Sequence, residues 1–181
     1  MLQQLTGENF DRIYEILEAS FPLDEYRTYE AQKELFGQKE YRIYGLVDEI
    51  GGELQAILSV WELDDLVFIE HFAVSPRYRN QGMGEKILQE ILERFSGLIC
   101  LEVELAENEL AKRRIGFYQR NGFFFNDYPY MQPPICKGRK AIPLRIMSRG
   151  GTVSEKEFGR IRDQLYEKVY HKKSRQAYAE V

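Results

Sequence analysis

The sequence predicts an α/β (α+β) protein built on a mixed, mostly antiparallel central sheet with helices on both faces. Three observations predict it. Apolar residues recur at helical spacing near both ends and in the middle of the chain. Between them lie short runs rich in β-branched and aromatic residues. The two kinds of segment alternate as helix, helix, hairpin, strand, helix, strand, helix, strand, strand, helix, an order that layers helices over a sheet.

The elements follow in that order. Asn9 to Phe21 carries Phe10, Ile13, Tyr14, Ile16 and Leu17 at helical spacing, with Asn9 as a cap and Pro22 just beyond the end. A short second helix is expected from Tyr29 to Phe36, between Thr28 as cap and Gly37 as terminator. Tyr41 to Asp48 and Glu53 to Trp61 read as strands joined at Gly51-Gly52, an antiparallel hairpin. Leu66 to Val74 is largely apolar and reads as a buried central strand. Ile87, Leu88, Ile91, Leu92 and Phe95 then mark a helix that ends at Gly97. Leu98 to Leu105 alternates, with Ile99, Leu101, Val103 and Leu105 on one face and Cys100, Glu102 and Glu104 on the other. A helix from about Glu109 to Arg120 stops at Asn121-Gly122, and a strand begins at Phe123 to Phe125. Tyr128 to Lys137 reads as a Pro-rich loop and Ala141 to Met147 as the last strand. Ser154-Glu155-Lys156-Glu157 is a capping box that opens a C-terminal helix over about 154–171.

The chain has 181 residues, the size of one domain with its own core, and neither a linker nor a repeat divides it, so residues 1–181 are expected to fold as a single domain. With a formal net charge of −4 it lacks the global basic field that attracts nucleic acid or an anionic membrane, and neither partner is expected. No apolar run approaches the ~20 residues of a membrane span, and Met1 to Phe10 lacks the order of a signal peptide. Two cysteines, Cys100 in an apolar run and Cys136 in a loop, make neither a disulfide framework nor a zinc site. A reducing cytoplasm and no metal are the expectation. One stretch departs from the acidic balance: Pro129 to Arg149 holds Lys137, Arg139, Lys140, Arg145 and Arg149 and no acid at all, reading either as a solvated face or as a patch that meets phosphates or an anionic substrate.

The chemistry is carried by the segment between the buried strand and the helix after it, Arg79-Asn80-Gln81-Gly82-Met83-Gly84. First-turn amides of a helix have no internal partner and carry the positive end of its dipole, so such a terminus binds phosphate. Gly82 and Gly84 let a phosphate approach the backbone, and Arg77, Arg79 and Lys86 add charge. The spacing is neither that of a P-loop nor that of a dinucleotide fold.

This segment resembles the acetyl-CoA signature of the GCN5-related N-acetyltransferase superfamily, Arg/Gln-x-x-Gly-x-Gly/Ala between a central strand and a helix. The stretch Ile69 to Arg79 resembles that family's strand and entry loop. Asn108, Ala111 and Tyr118-Gln119-Arg120-Asn121-Gly122-Phe123 resemble its second signature, which ends in Tyr-x-x-x-Gly-Phe. The likeness is good from about Tyr41 to Phe125 and weak outside it. It implies a sheet splayed between the fourth and fifth strands, here Leu66 to Val74 and Leu98 to Leu105. It implies that the backbone of Phe72, Ala73 and Val74 pairs with the pantetheine arm. Arg79, Asn80, Gln81, Gly82, Met83 and Gly84 would form the pyrophosphate turn, Asn108 would contact the pantetheine or phosphate end, and Tyr118 would sit beside the thioester sulfur. The resemblance thus implies acetyl-CoA as cosubstrate and an amine as acceptor.

Attack by an amine needs a base, because a lysine-like amine of pKa ~10.4 is protonated at neutral pH. Glu70 is the candidate, an acid in an apolar strand whose pKa burial would raise; the alternative is a glutamate bonded to backbone amides. His71 is the rival, expected on the opposite face. Tyr118 is the candidate acid for the leaving thiolate. Glu102 and Glu104 either line the cleft, binding a cationic acceptor or serving as base, or meet solvent. Tyr128, Tyr130 and Met131 either form a lid over the acceptor or a plain loop. The expected function is N-acetyl transfer from acetyl-CoA directly to a primary amine of a small molecule or peptide, by a monomer or homodimer. A non-catalytic acyl-CoA-binding or sensing module is the alternative, and intact Glu70 and Tyr118 argue against it.

Overall fold

A computed structural model describes residues 2–48 and 51–172. The strands are β1 (Leu2–Gln4), β2 (Tyr41–Val47), β3 (Leu54–Glu62), β4 (Leu66–Val74), β5 (Leu98–Glu104), β6 (Phe123–Gln132) and β7 (Ile142–Arg149). The helices are α1 (Phe10–Ser20), α2 (Tyr29–Glu34), α3 (Met83–Leu92), α4 (Glu109–Arg120) and α5 (Glu155–Gln164). The strands form one sheet in the order β1-β2-β3-β4-β5-β7-β6. The pair β4–β5 is parallel and every other neighbouring pair is antiparallel. The predicted mixed, mostly antiparallel sheet is therefore observed.

The alternation of side chains builds two cores. On one face Ile43, Ile57, Phe68, Cys100 and Ile146 pack against Ile13 and Leu17 of α1 and Phe158 and Ile161 of α5. On the other face Leu58, Val60, Ile69, Leu101 and Val103 pack against Ile87, Leu88 and Ile91 of α3 and Ile115 of α4. Ser154 and Glu157 form the predicted capping box of α5. Asn9 stands at the N-cap of α1 without a side-chain cap bond there; its Oδ1 instead accepts from Thr6 N–H at 3.2 Å. Beyond α5 the helix widens into a single π turn, Leu165–Val169, which closes with Tyr170 N–H donating to Leu165 O at 3.0 Å. The apolar stripe Phe158, Ile161, Leu165, Val169 and Tyr170 is buried in the first core.

Two readings are corrected. Strand β1 was not legible, because three residues are too few to show a period. The Pro-rich loop expected from Tyr128 is instead the second half of β6. Its pairing with β7 is interrupted between Asn126 and Tyr130 and then resumes to Gln132. Pro129 is tolerated because β6 is an edge strand and the residue sits in that irregularity. Of the basic stretch Lys172-Lys173-Ser174-Arg175, read from sequence as a frayed tail, all but Lys172 lie outside the described residues.

Candidate active site

Strands β4 and β5 pair at four positions, from Leu66↔Leu98 to Ile69↔Leu101. Beyond Ile69 they diverge, as a splayed sheet requires. Into the opening run two neighbouring cavities, one on each side of Tyr118.

The first is a cleft of about 440 Å³ lined by Phe72, Val74, Arg79, Asn80, Gly82, Met83, Gly84, Phe117 and Tyr118, among others. Its floor is the start of α3. Gly82 is the N-cap in a left-handed conformation, φ 72°, and no side chain caps the helix there. Asn80 is also left-handed, φ 63°, so the turn doubles back sharply. First-turn amides of α3 are thus left for an external acceptor. Gly84 lies under two rings: a Cβ there would meet Phe117 at 3.7 Å and Phe72 at 3.8 Å. Arg79 turns back onto the protein, its Nε donating to Val74 O at 2.9 Å and its Nη2 to Ser20 Oγ at 3.2 Å.

The second cavity is small, about 50 Å³, and acid-lined: Glu25, Glu70, Glu102 and Glu104 face it, with Arg114 the neighbouring cation. Phe72, Arg114 and Tyr118 line both cavities. A β-bulge places the acids. The β3–β4 register runs Ser59↔His71 and then Val60↔Ile69, so Glu70 is an extra residue in β4. The bulge resets the alternation. Glu70 and His71 therefore face the same side, and the expectation of opposite faces is corrected: strict period two holds only where no residue is inserted.

The carboxylate of Glu70 is 2% exposed and lies 2.8 Å from Arg27 Nη1, itself buried, and 3.5 Å from His71 Nδ1. Burial alone pushes Glu70 up, but the Arg27 charge and the His71 contact outweigh it and hold the group down at about 2. The expected upward shift is thus overturned, because Arg27, far from β4 in the chain, folds back onto the carboxylate and leaves no local trace of doing so. His71 is engaged too: Nε2 lies 2.8 Å from Glu25 O, so it bears the proton donated to that carbonyl.

Glu102 behaves in the opposite way. Burial drives its pKa up to about 7, against the pull of hydrogen bonds from Tyr130 and Tyr170. Tyr130 OH donates to Oε1, and Tyr170 OH donates to Oε2 at 2.7 Å. Glu104 accepts from Arg114 Nη1 at 2.9 Å. Glu25 is raised by burial and by Glu104. Tyr118 is buried and raised by desolvation to about 12, so its phenol keeps its proton through the neutral range.

Of the predicted residues, Phe72, Val74, Arg79, Asn80, Gly82, Met83, Gly84 and Tyr118 are brought together in the larger cleft. The Ala73 side chain packs into the first core, which leaves the expectation for its backbone untouched, and Gln81 sits on the turn with Nε2 donating to Arg77 O at 3.4 Å. Asn108 caps α4, its side chain accepting from Ala111 N–H at 2.8 Å, and does not line the cleft. Tyr130 is a core residue on β6 bonded to Glu102, and Tyr128 stacks on Phe158 with ring centroids 4.8 Å apart, so neither belongs to a lid loop. Sequence reasoning missed Glu25, Arg27, Arg114 and Tyr170. Only Arg114 carried a signal, its place one turn before Tyr118 on the same helix face.

A family model described as acetyltransferase (GNAT) family matches residues 10–123. Among solved structures, the chain is similar to a putative acetyltransferase of the GNAT family from Bacteroides thetaiotaomicron. The two share 33% identity with a TM-score of 0.84, over 94% of this chain and 98% of that one. The ribosomal-protein-S18-alanine N-acetyltransferase of Escherichia coli shares the fold, with 20% identity, a TM-score of 0.64, and coverage of 85% of this chain and 95% of that one. So does Arabidopsis thaliana NAA60 in complex with acetyl-CoA, at 16% identity and a TM-score of 0.63, over 82% of this chain and 96% of that one. No curated protein matches the sequence.

Proposed function

We propose that this chain, which belongs to the acetyltransferase (GNAT) family, moves an acetyl group from acetyl-CoA directly to a primary amine. The observation that carries the reading is the meeting of the two cavities at Phe72, Arg114 and Tyr118. One is suited to a phosphate-bearing ligand and the other to a cation.

The residues present fit acetyl-CoA. The uncapped start of α3 offers amides to the pyrophosphate at Gly82, Met83 and Gly84. Phe72 and Phe117, 6.2 Å between ring centroids, wall the cleft for an apolar arm. The coenzyme supplies the acetyl thioester, whose carbonyl carbon the amine attacks and whose sulfur leaves. Tyr118 holds a proton for that sulfur. Glu102 takes the proton from the amine nitrogen, directly or through water, because a pKa of about 7 leaves it a usable base at neutral pH. Glu70 is a poor base by comparison and instead draws the ammonium into the cavity, with Glu25 and Glu104. The ammonium gives one proton to Glu102 before attack; as the C–N bond forms and the C–S bond breaks, Tyr118 gives its proton to the sulfur and regains the second nitrogen proton through water, and Glu102 then releases its proton to solvent.

We assign the whole chain, residues 1–181, to one domain. Both cysteines are free, Cys100 buried and Cys136 half-buried, which supports a reducing cytoplasmic setting. Among the described residues no helix is long and apolar enough to cross a membrane.

Thermal shift with acetyl-CoA, CoA and ATP tests the reading, followed by thiol release with an amine panel. Acetyl-CoA and CoA should raise the melting temperature and ATP should not. No rise with either CoA compound, from folded protein, would count against it.

A further inference from the structure

We infer that the acceptor carries an anionic group, carboxylate or phosphate, at the end remote from its amine. This rests on the acetyl-transfer reading above and names the substrate class of that same site.

The acid-lined cavity of about 50 Å³ holds only a few water molecules, at ~10–15 Å³ each. It takes an aminomethyl end and little more. The rest of any acceptor must lie outside it. A further cleft, about 580 Å³, adjoins it: Ile135 and Tyr170 line both. Tyr170, buried, lies between them in both linings with its hydroxyl on Glu102 at 2.7 Å, beside rather than across the acceptor's path.

The two spaces differ in sign. The inner one presents four carboxylates; Arg27 Nη1 faces Glu70 at 2.8 Å and Arg114 bonds Glu104, while Glu25 and Glu102 have no cationic side chain paired with them among the described residues. A small space lined by more carboxylates than cations favours a cationic end, and an ammonium brings three N–H donors. The outer cleft is lined by Lys137, Arg139 and Lys172, with Glu34 the one carboxylate among its described lining residues and Arg27 already facing Glu70. Arg139 is fixed there, its Nε donating to Tyr26 O at 3.1 Å. The basic stretch of the sequence thus divides. Arg145 pairs with Asp127 at 3.0 Å and Arg149 bonds Leu92 O at 3.2 Å, while Lys137 and Arg139 remain at the cleft. An acceptor with opposite charges at its two ends satisfies both spaces at once. A diamine would set its second ammonium among the lysines, at a repulsive cost.

The test compares four amines of one length by thiol release: hexylamine, aminocaproate, aminohexyl phosphate and hexamethylenediamine. Acetyl-CoA binding is checked first by melting shift, so that failure of the acetyl-transfer reading is seen separately. Expected is a kcat/KM for one or both anionic amines at least about tenfold above hexylamine, with the diamine lowest. The carboxylate and phosphate arms tell which anion is preferred. The double variant Lys137→Glu/Lys172→Glu, altered at the cleft surface, should erase the anionic preference through KM. Acetyl-CoA binding with equal use of all four amines, with the diamine preferred, or with no turnover of either anionic amine overturns the inference.

Discussion

Tyr170, just past the π turn at the end of the C-terminal helix, donates its hydroxyl proton to Glu102 Oε2 at 2.7 Å. The bond ties the last helical segment to the strand that lines the splay. It also lowers the pKa of the carboxylate proposed above as the base.

Replacing that carboxylate is the sharpest test. Glu102→Gln should lower kcat by about 10² or more, the usual range for loss of a positioned base. The parent should lose activity as pH falls below about 7, because protonation of Glu102 removes the base. In the variant that limb should vanish. A parent profile flat through neutrality, or a variant with the same limb, would reject Glu102 as the base.

Tyr170→Phe removes one of the two hydrogen bonds that hold Glu102 down. The apparent pKa of the activity profile should therefore move up, with the alkaline plateau retained. A shift downward would mean that the bond acts mainly on the protonated form.

Tyr118→Phe keeps the ring that packs at 5.7 Å against Phe123 and deletes the proton. Turnover should fall by roughly 10² while the melting shift given by CoA changes little. A large loss of CoA binding with unchanged kcat would move Tyr118 from proton donor to coenzyme contact.

Arg27 and Glu70 form a buried pair, so Arg27→Met should cost about 3–5 kcal/mol by stranding the carboxylate. Arg27→Met/Glu70→Leu should recover much of it in chemical denaturation. The acid dependence follows from the sign. Glu70 titrates near 2 folded and near 4.5 unfolded, so its stabilisation is complete above 4.5 and lost as pH falls toward 2. Glu70→Gln should flatten the stability curve in that window.

Gly82 has φ 72°, a conformation that costs a β-carbon-bearing residue ~1 kcal/mol. Gly82→Ala should lower the melting temperature by a few degrees and shrink the further rise given by acetyl-CoA. An unchanged rise would show that the turn does not hold the coenzyme.

The sequence made the α3 turn legible because its signals are local: glycines, then apolar residues at helical spacing. The face shared by Glu102 and Glu104 was legible for the same reason, since β5 alternates without interruption. Glu70 was misread because its orientation depends on a bulge set by the register with β3. The second half of β6 was hidden by Pro129, whose tolerance depends on the edge position of the strand. Tyr170 read as one more apolar-stripe residue, because its partner lies 68 positions earlier. Charge partners so distant in the chain leave no periodic trace.

The bond between Tyr170 and Glu102 has a bearing on biosynthesis. Glu25, Glu70, Glu102 and Tyr170 meet at one small cavity, though they leave the ribosome in widely separated order. No nascent fragment ending before Tyr170 contains the completed site. The tuned carboxylate therefore comes into being only once the final helix has been translated and has docked, which makes catalytic competence a late event in the life of each molecule.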